Sequence, residues 1–178
     1  MEDPQRIWVR PVDAQGERAG RDVLVNREFV TQQRRAFGPG SVAIGRWGGS
    51  AWSAGQWGMR MLNRQCSFGR SRCGYSVAEA ARGGVPSLGS GMARVASLRR
   101  LGWGEIADAG QLRADDLVVW SRYGSNPTSA GYTHGHIGFV VFGEDGQPYV
   151  ASNFNGNLDV RALPQLGGRV HAFRSPNH

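Results

Sequence analysis

The order of patterns along the chain predicts an α+β fold, with helices packed on an antiparallel β-sheet. Two observations carry that expectation. Between Ser50 and Gly102 apolar residues return at every third or fourth position, as in amphipathic helices, whereas the last third is built of β-branched and aromatic runs separated by turn residues. The bulk composition agrees: 178 residues suit one domain with a real core, and 40% apolar with 20% charged residues is the balance of a globular chain.

Taken in order, residues 6–30 hold two β-rich runs around a polar, Gly-containing turn, which predicts a hairpin or loose arm. Residues 1–45 are accordingly set apart from a main domain over 46–178. "FGPGSVAIGRWGGS" reads as a connector interrupted by breakers. Ser50 is placed to cap a helix over "AWSAGQWGMRMLNRQ", in which Trp52, Gly55, Met59 and Leu62 share a face. The next helix opens at Cys73. Cys73, Val77, Ala80 and Ala81 fall on one face, Ser76, Glu79 and Arg82 on the other, and Gly83, Gly84 and Pro86 end it. A further helix runs from near Gly91 to Gly102, with Met92, Val95, Leu98 and Leu101 as its apolar positions. Strands follow at 115–120 ("DDLVVW"), 136–142 ("HIGFVVF") and 148–153 ("PYVASN"), the last two joined by the hairpin turn "GEDGQ". The long polar stretch 121–135 is a candidate rim of a site.

The formal charge is +7, and all 21 cationic residues are Arg, since the chain has no Lys. Arginine's planar fork suits carboxylate and phosphate, so anionic polymers and surfaces are candidate partners. No Arg-rich run is interleaved with aromatics, which argues against nucleic acid. Nothing approaches the ~20 apolar residues of a membrane span. The N-terminus has no apolar signal-peptide core, so the expectation is a chain made in the cytoplasm that another machine, or lysis, must deliver if it acts outside. Two cysteines are too few for a disulfide scaffold, although a single Cys66–Cys73 bridge stays open.

A catalytic thiol needs a lowered pKa, a base within reach and a group that orients the base. A helix start under Cys73, flanked by Arg70 and Arg72, supplies the first. His136, opening its strand, is the candidate base. A hairpin centred on Asp145 brings residues 153 to 154 opposite His136, so Asn153 is the candidate orienting residue, with Ser152 and Asn155 close by. His134 and His136, with Cys73, could make a zinc site, but a fourth ligand is missing and no metal is expected. Trp103, Trp120 and Tyr132 could line a groove or form core.

The segments "SFGRSRCGYSVAEAARGGVP", "LRADDLVVW", "HGHIGFVV" and "YVASNF" resemble the Cys helix, the Gly-Asp strand, the Gly-His strand and the third polar position of NlpC-type and CHAP cell-wall cysteine peptidases. The likeness is closest to peptidoglycan amidase effectors of type VI secretion and covers roughly Trp52 to Asn157. It implies a papain-like fold with a catalytic Cys at a helix N-terminus, and a Cys73, His136, Asn153 triad that needs no cofactor. It further implies amide hydrolysis in the peptidoglycan stem peptide or cross-link, and a monomeric antibacterial toxin acting in a target periplasm and opposed by an immunity protein that occludes its cleft. The family's Asp-Cys-Ser-Gly-Phe start is replaced around Cys73, and its Gly-Asp by Ala114-Asp115-Asp116. "QCSFG" at Cys66 imitates that start, but no apolar helical face follows it, so Cys73 is the preferred nucleophile.

Overall fold

The structure, a computed structural model, describes residues 6–10, 21–37, 43–47, 49–63, 73–85, 92–122, 128, 134–154 and 156–177. The expected N-terminal hairpin is present as β1 (Arg6–Val9) paired antiparallel with β2 (Val23–Asn26). A helix that the sequence pattern did not reveal, α1 (Arg27–Phe37), follows directly. Asn26 starts it: its Oδ1 accepts the Glu28 backbone N–H at 2.7 Å, satisfying one of the first-turn donors that a helix leaves open.

The main sheet has eight strands: β3 (Ala43–Trp47), β4 (Ser50–Ala54), β5 (Gly104–Ile106), β6 (Leu117–Arg122), β7 (His136–Phe142), β8 (Pro148–Phe154), β9 (Asn157–Ala162) and β10 (Gly167–Arg174). Its order is β3-β4-β7-β6-β10-β5, with β8 pairing β7 and β9, and every described pairing is antiparallel. The predicted hairpin turn closes as expected, Gly143 N–H donating to the Gln147 carbonyl at 3.1 Å.

Ser50 does not cap a helix. Residues 50–54 form β4, paired from Ser50↔Trp47 to Ala54↔Ala43, and the helix α2 (Gln56–Leu62) begins only after Gly55. The start of α2 is capped from far along the chain. Asp115 lies at φ +65°, a left-handed conformation that Asp tolerates better than most residues, and its carboxylate accepts the Trp57 and Gly58 N–H groups at 3.0 and 2.7 Å. Only glycine fits at 55, because a Cβ there would overlap that carboxylate. The next residue, Asp116, pairs with Arg174 through two bonds of 2.9 and 2.8 Å. The motif read from the sequence as a strand entry is thus two buried structural carboxylates.

The helices α2, α3 (Cys73–Ala80) and α4 (Ala93–Arg100) cover one face of the sheet, where Met59, Val77, Leu98, Ile137, Phe139 and Ala151 share a core. The opposite face carries a second core, in which Val25, Phe29 and Val30 pack with Val118, Trp120, Val140, Val150 and Phe154. Residues of the N-terminal segment therefore contribute to the interior, and the division at residue 45 falls inside β3. Two smaller expectations change: Ser76 is fully buried rather than on an outer face, and Leu101, just past the end of α4, is 51% exposed.

Candidate active site

The spacing that predicted a helix from Cys73 is met by α3, and the cysteine stands at its first position, half-buried, as a free thiol. The Arg94 charge of α4 and the backbone of Ile137, Gly74 and Cys73 itself favour the thiolate. Burial is the largest influence and pushes the thiol above its ordinary value; the cation and the backbone donors oppose it. Arg94 is only 5% exposed and lies across Gly74, where a side chain would overlap the guanidinium. Its charge is itself disfavoured by burial.

His136 stands at the first position of β7, opposite Trp120 of β6. Its Nε2 lies 3.1 Å from Ser152 Oγ, which also bonds the Ile137 carbonyl. The Trp120 and Phe154 rings each sit 4.9 Å from the imidazole centre. Burial drives its pKa down to about 4; a bond to the Asn153 backbone favours the protonated ring, while the Arg161 cation adds to the depression. The ring is enclosed by aromatic side chains, and its burial disfavours the charged form.

Cys73 and His136 are not brought together on one face. The thiol packs with the core that holds Ile137, whereas the imidazole packs with Trp120 and Phe154 in the other. Successive residues of a strand point to opposite faces, so a thiol beside Ile137 and a ring on residue 136 are separated by the strand itself. Their elements are nonetheless packed together, since Cys73 lies against the core that holds Ile137.

Asn153 falls on the helix-bearing face. Its Nδ2 donates to Ser76 Oγ at 3.2 Å and its Oδ1 accepts the Gly156 N–H at 2.8 Å, so the amide braces α3 and the turn after β8 rather than the imidazole. The reason is register. β7 and β8 pair from Phe142↔Pro148 to Phe139↔Ala151, which continues to set residue 153 opposite 137 and 154 opposite 136. Ser152, one of the alternatives, is the residue whose side chain holds the ring.

His134 offers its carbonyl to the Met92 N–H at 3.2 Å, and Gly135 between the two histidines has φ +76°, so the backbone there is not regular strand. Among the described residues no three His, Cys, Asp or Glu side chains gather as a metal site. Trp103 and Trp120 are core, at 7% and 1% exposure. Asn155, Cys66, Tyr132, Arg70 and Arg72 lie outside the described residues. Arg94 is the residue that sequence reasoning missed; the available signal was an arginine directly beside Val95 and four before Leu98, hence near the buried stripe of α4.

Comparisons with protein-family models, with curated proteins and with solved structures found no match to this chain. Among the described residues, no helix is long and apolar enough to cross a membrane.

Proposed function

We propose that this chain is a cysteine-dependent peptidoglycan hydrolase of papain-like design, cleaving amide bonds of the stem peptide or its cross-link as an antibacterial toxin delivered to a target periplasm. The observation that carries the reading is the setting of Cys73: a half-buried thiol at a helix start, with the buried Arg94 guanidinium laid across the neighbouring Gly74. In the proposed reaction the Cys73 thiolate attacks the amide carbonyl, and N–H groups at the helix start receive the oxyanion. His136, having taken the Cys73 proton, gives it to the departing amine as the C–N bond breaks. It then takes a proton from the attacking water, which cleaves the thioester C–S bond to leave a carboxylate and the Cys73 thiol. For that role the imidazole must leave Ser152 and the two aromatic rings and turn to the thiol side of β7. Peptidoglycan is the proposed substrate, and an immunity protein covering Cys73 is the proposed partner.

A second reading, a wall-binding module without catalysis, is favoured by one observation: the imidazole is enclosed and hydrogen-bonded as a structural histidine would be. Expression in a Gram-negative host separates the readings. The chain directed to the periplasm is expected to lyse cells, and the chain retained in the cytoplasm, or exported as Cys73→Ala, is expected to be harmless. Export without lysis would support the binding module, and equal toxicity in both compartments would support an intracellular substrate.

A further inference from the structure

Arginine keeps its proton in a folded protein, so Arg94 brings a permanent positive charge into a layer otherwise formed by residues such as Val77, Val95 and Leu98. Two features hold that charge in one place. Its own side chain is buried, with only 5% exposure. The residue it lies across is Gly74, where any Cβ would occupy the guanidinium's position. The first turn of α3 is thereby shaped to admit a cation beside Cys73.

We infer that Arg94 is a positioning residue for Cys73: the buried guanidinium laid across Gly74 sets a fixed positive charge beside the first turn of α3, where the thiol stands. The inference rests on the reading of Cys73 as the nucleophile. Among the described residues, Tyr75 of α3 is exposed but acts on Arg94 through its phenol, Asn153 of β8 is uncharged, and His136 packs with Trp120 and Phe154 on the far face of β7. Arg60 of α2 serves the other end of α3, donating to the Ala80 carbonyl at 2.9 Å. Burial raises the thiol and the Arg94 charge counters it, so removing the charge leaves less thiolate at neutral pH.

The test is the pH profile of alkylation of the thiol by iodoacetamide, in which the thiolate displaces iodide. A Cys66→Ser background isolates the Cys73 signal, and circular dichroism checks each fold. Arg94→Met is expected to move the profile about one pH unit more alkaline and to slow alkylation about tenfold at pH 7. Arg94→Lys, which keeps a charge, is expected to recover most of the rate. A folded Arg94→Met protein with an unchanged profile would overturn the inference. If Arg94→Met does not fold, Gly74→Ala makes the same test by pushing the guanidinium aside: the alkaline displacement is again expected, and its absence overturns the inference. Hydrolysis of peptidoglycan, assayed in parallel, keeps the two ideas apart. A shifted profile in a protein that hydrolyses nothing removes the proposed function and leaves Arg94; hydrolysis with no shift removes Arg94 alone.

Discussion

On the helix-bearing face of the sheet, buried polar groups tie helices to the sheet and to one another, whereas among the described residues of the face that carries the N-terminal hairpin an imidazole is enclosed by aromatic rings. The Asp116–Arg174 pair joins the start of β6 to β10 rather than to a helix. The first face has Asp115 on the start of α2, Arg60 on the end of α3, Asn153 on Ser76 and Arg94 beside Cys73. The second has His136 between Trp120 and Phe154, with Ser152 on its Nε2. Both sets meet at the beginning of β7, where residue 136 serves one face and residue 137 the other. Polar groups that hold elements leave little freedom, and an imidazole closed into an aromatic layer is held as firmly.

The contrast is sharpest at Asp115. Replacing it with Ala removes the acceptor for two first-turn N–H groups and puts a residue less tolerant of φ +65° in its place, at an expected loss of about 4 kcal/mol in urea unfolding. Asp115→Asn, which keeps one carbonyl acceptor, is expected to lose less. Stability within about 0.5 kcal/mol of the parent for Asp115→Ala would mean that the helix face is not held by this carboxylate.

His136 offers the matching test on the other face. Its folded-state pKa lies below that of the unfolded chain, so between about 4 and 6.5 the unfolded state binds the proton that the folded state refuses. The contribution is present above that window and is lost as pH falls through it, reaching about 3 kcal/mol at the acid end. His136→Phe is expected to remove this share of the pH dependence, leaving that of the carboxylates. Parallel curves for parent and variant would show an imidazole that titrates normally.

The smallest effect is expected at Asn153. Asn153→Ala loses the bonds to Ser76 and Gly156 and is expected to cost about 1–2 kcal/mol, while leaving the His136 titration followed by NMR in place. A displaced His136 titration would mean that the amide reaches the ring after all.

Local signals were legible and long-range ones were not. The spacing of Cys73, Val77, Ala80 and Ala81 is α3, and "GEDGQ" is the β7–β8 turn, because each is decided within a few residues. Residues 50–54 read as helix because Trp52, Gly55, Met59 and Leu62 fit a helical stripe, but pairing with β3 and β7 overrode that spacing. β10 inserts between β6 and β5, and α2 is capped by a residue 57 to 58 positions away, neither of which leaves a local mark. The candidate site turned on one residue of register: Asn153 and His136 share a hairpin but not a face.

The proposed cleavage of peptidoglycan by Cys73 is tested most directly by mass spectrometry of the soluble fragments released from purified sacculi. Wild-type protein is expected to release stem-peptide fragments with a new amine and a new carboxylate at one amide bond. Cys73→Ala, folded to the same degree, is expected to release none. Fragments appearing equally with both proteins, or with neither, would contradict the account.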